Sequence, residues 1–331
     1  MQLKKGLILI CSLFVAIFIG LFVYVKSRSV VVETKSSPTK IVEEAKETTG
    51  TMIFVGDIML SRSVGAYMQE KVDYRLPFLA MADFLKEADI TFANLENPVS
   101  LRGIKVGSIY SFRADPKVIE GLKYAGFDIV SIANNHMWDY GREAFLDTMT
   151  HLASAGIDFV GGGHNFEEAH RPIIKDVNGT RVAFLAYTEF LQNVIARETS
   201  VGLTNWDMEQ IKKDINTAKS EADLVAVSFH WGEEYKTKHN LKQEQVAKAM
   251  IDAGADLIIG HHPHVVQEVE QYKNGWIAYS LGNFVFDQTF SKETMESLAL
   301  KVKIDDGKIS AVESIPIQIS KDFQPALLSD K

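Results

Sequence analysis

Three imidazoles fall within four residues at His261, His262 and His264, a third of the nine histidines in a chain of 331 residues. A neutral imidazole is the commonest protein ligand for a transition metal, and the pair His262 and His264, one residue apart on an extended backbone, can face one ion. Read alone, the run is also compatible with a solvated polar loop. Four further places carry residues able to ligate a cation or move a proton: Asp57 after Gly56, Glu96, Asn135 with His136, and His230. Singly, Asp57 reads as a turn former, Glu96 as a surface group and Asn135 as a cap; turn chemistry does not call for histidine at successive strand ends. A shared metal centre is expected. Mixed oxygen and nitrogen donors without a thiolate suit Mn, Zn or Fe rather than a structural cysteine–zinc site. Six or seven donors exceed the need of one four-coordinate ion, so two divalent ions are expected, bridged by a carboxylate and about 3.5–4 Å apart.

These residues need strands to deliver them. Apolar runs at residues 51–55, 89–93, 127–133, 157–160, 224–229 and 255–259 read as strands, and five of them end in the candidates above. Helical periodicity falls between them at 76–87, 115–125, 141–155, 208–221 and 240–253, with Asp115 and Asn240 as caps and Gly156 as a stop. Asn178-Gly179 predicts a two-residue hairpin. Later strands at 265–272, 276–281, 297–304 and 309–319 are joined by turns at Asn274-Gly275 and Asp306-Gly307. Strand and helix in alternation, then hairpins, predict an α/β sandwich with helices outside, whose strand ends share one rim.

Residues 6–25 contain no charged side chain, and twenty helical residues span about 30 Å, the thickness of a bilayer's hydrocarbon core. Residues 1–28 are therefore expected to be an uncleaved single-pass membrane anchor, residues 29–50, rich in Ser, Thr, Lys and Glu, a flexible linker, and residues 51–331 the folded domain, outside the cell. Cys11 is the single cysteine, so that domain has no disulfide framework. The chain's net charge is −8, and the first 50 residues carry seven basic and four acidic side chains, leaving −11 on the other 281. An acidic domain lacks the surface that releases counterions from a phosphate backbone, and nucleic acid is not an expected partner.

Six blocks in order carry a resemblance: Gly56-Asp57-Ile58-Met59, Asn94-Leu95-Glu96-Asn97-Pro98, Ala133-Asn134-Asn135-His136-Met137-Trp138-Asp139-Tyr140-Gly141, His230-Trp231-Gly232, Gly260-His261-His262-Pro263-His264-Val265 and Tyr279-Ser280-Leu281-Gly282-Asn283-Phe284. From about residue 51 to 319 the chain resembles the CapA-like poly-γ-glutamate capsule-biosynthesis proteins, which are similar in turn to calcineurin-like metallophosphoesterases. The resemblance implies a four-layer α/β/β/α sandwich with two metals at the strand ends. It implies Asp57 and His264 at the first metal, Glu96 as the bridge, Asn135, His230 and His262 at the second, and His136 as proton donor or transition-state stabiliser. Where the phosphoesterases carry Asp-x-His this chain has Met59, and where they carry a bridging aspartate it has Glu96, so the first ion is expected to have one ligand fewer. Asp139, Asn283 and His261 are expected behind the ligands or facing substrate. Trp138, Trp231 and Phe284 are candidates for groove walls, and His151, His164, His170 and His239 for ordinary surface groups.

Three functions follow. The first is a capsule component that helps the membrane subunits of a poly-γ-glutamate synthase complex elongate or export polymer. The second is a surface metal-dependent hydrolase of a phosphoester or of a cell-wall or capsule polymer bond. The third is a non-catalytic assembly module. The charge of −11 would repel polyglutamate unless metal ions, or a basic groove at Arg102, Lys105 and Arg113, attract it.

Overall fold

The computed structural model describes residues 49–106 and 109–328, and the expected anchor and most of the linker lie outside them. The chain divides into two units, Met1–Ala45 and Lys46–Lys331, of which the second holds every described element. Among the described residues no helix is long and apolar enough to cross a membrane.

The first half alternates as expected. Strand β1 (Gly50–Ile58) leads into α1 (Arg62–Lys71), a 3-10 turn (Leu76–Phe78) and the short α2 (Ala82–Leu85). Then come β2 (Ile90–Leu95), α3 (Ile119–Ala125), β3 (Ile129–Ser131), α4 (Gly141–Ala155) and β4 (Asp158–Val160). A small pair, β5 (Gly162–Gly163) with β8 (Gly202–Leu203), flanks α5 (Phe166–His170) and the hairpin of β6 (Ile173–Val177) and β7 (Thr180–Thr188). Next are α6 (Met208–Glu221), β9 (Leu224–His230), α7 (Leu241–Asp252) and β10 (Leu257–His261). The chain closes with β11 (Val269–Tyr272), β12 (Gly275–Ala278), β13 (Asn283–Val285), β14 (Glu296–Asp305), β15 (Lys308–Ile319) and β16 (Pro325–Leu327).

Two sheets result. One runs β16-β15-β14-β1-β2-β3-β4, with β13 also paired to β1; the other runs β11-β12-β10-β9-β7-β6. Strands β1 to β4 are mutually parallel, as are β7, β9, β10 and β12, so each sheet has one rim of carboxyl ends. Alternate side chains of both sheets meet in an apolar layer that includes Phe54, Phe92, Phe184, Leu224 and Ile259. Helices α1 to α4 cover the outer face of the first sheet through Met68, Leu85, Leu122 and Phe145. Helices α6 and α7 cover the second through Ile211, Ile215 and Met250. The order helix, sheet, sheet, helix is the expected sandwich.

Several local expectations are corrected. The expected helix at 76–87 is two short pieces, because burying Phe78, Met81, Ala82 and Leu85 on one core fixes which residues turn inward without requiring an unbroken helix. Helix α1 lies where the sequence pattern predicts no helix. The pair Gly56-Asp57 does not end its strand: β1 continues to Ile58 through an irregularity, since β13 extends the pairing in parallel at Asp57 and Ile58. A Cβ at Gly56 would stand 1.9 Å from the Gly282 carbonyl oxygen, so that close approach needs glycine. At the expected Asn274-Gly275 turn the loop residues are Lys273 and Asn274, and Gly275 is already paired with Tyr272. The other two hairpins turn as expected, with left-handed backbone at Asn178, Gly179, Asp306 and Gly307.

Candidate metal centre

On the first sheet, register sets Asp57 of β1 beside Asn94 of β2 on one side and Asn283 of β13 on the other. Glu96 follows β2 directly, its backbone N–H donating to the Ile58 carbonyl at 2.8 Å. Past β3, the Asn134 side chain shapes the loop that carries Asn135 and His136: its amide donates to Asn94 Oδ1 (3.1 Å) and the Leu95 carbonyl (2.8 Å), and its oxygen accepts the His136 N–H (3.1 Å). On the second sheet, His230 ends β9 opposite His261, which ends β10. His262 and His264 lie in the turn beyond.

That turn departs from expectation. The two histidines are on left-handed backbone, φ 97° and 59°, not on an extended strand. The Asp57 carboxylate holds the turn, accepting the His262 N–H at 3.2 Å, and Tyr235 N–H caps the Pro263 carbonyl at 2.8 Å. Left-handed non-glycine residues cost of order 1–3 kcal/mol and persist only where the surroundings fix them, which is common at functional sites.

All six expected ligands converge. Glu96 Oε1 is buried without a hydrogen-bond partner, and three imidazole Nε2 atoms surround it: His264 at 3.7 Å, His136 at 3.9 Å and His230 at 4.0 Å. Those separations exceed a hydrogen bond. Two donors each about 2.0–2.2 Å from a common ion stand up to roughly 4.2 Å apart, so this spacing suits ligands of one cation. Asp57, Glu96 and His264 have donor atoms within 4.8 Å of one another, and so do Glu96, His230 and His262; Glu96 is common to both groups. His262 Nδ1 and both His261 ring nitrogens are likewise buried and unpartnered. Orphaned polar atoms on residues of ligand type, with no thiolate among them, fit divalent cations.

Hydrogen bonds set the orientation of the donors. Asn283 gives its amide N–H groups to Gln288 Oε1 and the Thr294 carbonyl, both at 3.1 Å, which turns its oxygen to His264 Nδ1 at 2.9 Å and leaves the His264 Nε2 lone pair facing Glu96. Asp139 Oδ2 binds His136 Nδ1 at 2.7 Å and accepts the Phe112 N–H at the same distance. The His136 ring stacks on Phe112, centroids 3.9 Å apart, and its Nε2 also points toward Glu96. Asn135 Oδ1 lies 2.8 Å from His230 Nε2. His261 Nδ1 is 3.1 Å from Asp57 Oδ1 but out of line for a hydrogen bond.

The electrostatics are those of a desolvated charge cluster. Burial, then the negative charge of Asp57, pushes Glu96 well above the usual carboxylate range. Burial also pushes the Asp57 carboxyl up, but His261 and His264 outweigh it and hold Asp57 well below that range. Burial followed by the neighbouring His262 lowers His230, and burial with His264 lowers His262 to about 3. Both rings are thus neutral lone-pair donors at physiological pH.

A cleft of about 510 Å³ opens over the cluster, lined by Arg62, Tyr110, Phe112, Asn135, His136, Glu234, Tyr235, His264, Asp287, Gln288 and Phe290. Trp231 and Phe284 are core residues rather than groove walls, and Trp138 packs on Phe145. The expected basic groove is engaged locally: Arg102 pairs with Asp147, and Arg113 sits over the Tyr140 ring and donates to the Arg102 and Gly103 carbonyls. His170 is not a surface group: it is buried, 2.6 Å from Asp214, which also accepts from Tyr187, because α5 packs it against Phe166. Met59 is buried and its sulfur accepts from Ser61. Asn94 is not among the expected site residues, yet its amide donates to Asp57 at 2.8 Å and lies 3.3 Å from His230 Nδ1. Its position at a strand end, two residues before Glu96, was the available signal.

Residues 51–288 match the family described as bacterial capsule synthesis protein PGA_cap. The chain belongs to this family. Over 281 residues, 82% of the chain and 68% of the relative, it is 39% identical to the capsule biosynthesis protein CapA of Bacillus anthracis. Over 270 residues, 80% of the chain and 70% of the relative, it is 35% identical to the PGA biosynthesis protein CapA of Bacillus subtilis (strain 168). A hypothetical protein from Thermus thermophilus shares the fold at a TM-score of 0.53 and 15% identity, covering 81% of this chain and 99% of that one. The NAD nucleotidase of Haemophilus influenzae does so at 0.52 and 11% identity, covering 85% of this chain and 54% of that one. This member of the capsule synthesis family thus has a mixed α/β fold of the kind seen in that nucleotidase.

Proposed function

We propose that the chain is a membrane-anchored, extracellular component of poly-γ-glutamate capsule biosynthesis that acts on polymer elongation or export through a two-cation centre. The observation that carries this reading is the unpartnered Glu96 Oε1 with three imidazole nitrogens aimed at it, in a chain whose relatives are named for capsule synthesis. In the proposal Asp57 and His264 hold one cation, Asn135, His230 and His262 the other, and Glu96 both. Divalent cations, when bound, supply Lewis acidity and concentrated positive charge. The cleft itself offers a polyanion little attraction, since Arg62 is paired with Asp287 at 3.1 Å and Glu234 adds negative charge. Occupied cation sites would therefore decide whether polymer carboxylates enter. The membrane segment at residues 6–25 and synthase membrane subunits would keep the domain where polymer emerges. The test is polymer output in a strain lacking this chain, complemented with the full chain, with His264→Ala, or with a form lacking residues 1–28. Restoration by the full chain alone is expected, with metal content lost in His264→Ala; full output from either variant refutes the reading.

A second reading, hydrolysis of a phosphoester or polymer bond, is favoured by one observation, the Asp139–His136 pair. Asp139 fixes the proton on Nδ1, so Nε2 faces the cleft, able to take or give a proton beside Glu96. Release of phosphate or glutamyl fragments by the purified chain, falling about 10–100-fold in Asp139→Asn, is the expected sign. No release with any divalent cation refutes it.

A further inference from the structure

The loop after β9 brings a carboxylate to the cluster from the solvent side. The Glu234 carboxylate and one ring nitrogen each of His262 and His264 all lie within 4.8 Å of one another, the third such group among the described residues and the only one with an exposed member. Three backbone N–H groups anchor the loop: Trp231 donates to the His261 carbonyl (3.1 Å), Gly232 to the Glu189 side-chain Oε1 (2.7 Å) and Tyr235 to the Pro263 carbonyl (2.8 Å). Two of these acceptors belong to the histidine run, so the loop is tied directly to it. Tyr235 is also left-handed, φ 63°, a further sign that tertiary contacts dictate this path. His262 Nδ1 is buried with no partner, and Glu96, the carboxylate beneath, has an orphaned oxygen.

From this arrangement we infer that Glu234 is a further ligand of the cation centre, closing it from the cleft across His262 and His264. The inference rests on the two-cation reading. It gives the centre one ligand of a different character from the rest: Asp57, Glu96 and His264 are buried, whereas Glu234 is exposed and free to exchange its place with an incoming carboxylate or phosphate. A polymer carboxylate would then enter by displacing a group of its own kind.

The test is calorimetric titration of the purified full chain with Mn²⁺, together with the absorption spectrum of the Co²⁺-loaded protein, for the wild type, Glu234→Gln, Glu234→Asp and Glu233→Gln. Glu233 is exposed on the same loop and belongs to none of the ligating groups, so Glu233→Gln removes the same charge without removing a ligand. Glu234→Gln is expected to weaken the weaker Mn²⁺ site at least 10-fold and to shift the Co²⁺ bands. Glu233→Gln should stay within about 3-fold with an unchanged spectrum, and Glu234→Asp should fall between. Equal weakening by both glutamine variants with unshifted bands would reduce Glu234 to a source of field and overturn the assignment. Wild-type affinity in Glu234→Gln would overturn it as well, while leaving the two-cation centre standing. A wild type that takes up neither ion would overturn both.

Discussion

Replacing Glu96 with glutamine separates what this residue costs the empty fold from what it does for a cation. The carboxyl is fully buried, one oxygen has no partner, and Asp57 lies beside it. A buried polar group left unpaired costs about 1–3 kcal/mol. A glutamine keeps the shape, can still accept from Asn94, and offers an N–H to an imidazole nitrogen where the carboxylate offers none. In chelator, Glu96→Gln should therefore be more stable by about 1–3 kcal/mol, and at roughly 2–4 °C per kcal/mol its melting temperature should rise by about 2–12 °C. The sign with pH is fixed by the raised carboxyl: its contribution is complete below the ordinary value of 4.5 and is lost as pH rises through the folded-state value, so the variant's advantage widens with pH. Mn²⁺ at 1,000 times its Kd should reverse the order, since it stabilises by about 4.1 kcal/mol, a gain the variant forgoes. Scanning calorimetry of both proteins in chelator and in Mn²⁺ checks this. A variant that melts lower in chelator, or that gains as much from Mn²⁺ as the wild type, refutes the reasoning.

Two further outcomes follow from the same geometry. Because burial holds His230 and His262 down, the latter to about 3 against an ordinary 6.5, their contribution is present above pH 6.5 and lost as pH falls toward 3; urea unfolding in chelator should show lower stability at pH 5 than at pH 7, with a smaller loss in His262→Asn. Gly260→Ala would set a Cβ 1.8 Å from the Tyr279 carbonyl oxygen and should cost more than about 4 kcal/mol, read as loss of soluble protein, whereas Gly156→Ala, left-handed at φ 77° but with open space around it, should cost only about 1–3 kcal/mol in unfolding experiments.

Much of this architecture was legible in the chain because its strands end in uncommon residues. Strands β2, β3, β9 and β10 are apolar runs closed by Glu96, Asn135 with His136, His230 and the histidine turn, and parallel topology alone brings such ends to a rim. The helices over residues 141–155 and 208–221 fall where periodicity sets them, the first stopped by the left-handed Gly156 and the second started by the Asp207 side chain. What stayed hidden depended on tertiary contacts. The left-handed turn at His262 and His264 is imposed by Asp57, some two hundred residues earlier. Asn94 reads as an ordinary strand residue until β1 is laid beside it. His170 looks like a surface histidine because Asp214 and Tyr187, its buried partners, come from other elements.

The candidate donors are divided between the sheets: Asp57, Glu96, Asn135 and His136 from one, His230, His262 and His264 from the other. Their mutual spacing is consequently a property of how the sheets are stacked, which the rings of Phe54, Phe92 and Phe184 between them control, Phe92 lying 6.0 Å from Phe184 and 5.6 Å from Phe54. Trimming one of these rings would let the layers slide and detune every donor distance at once. Substitutions deep in that hydrophobic seam are then alignment faults, and they should weaken any cation binding at the cluster before they unfold anything.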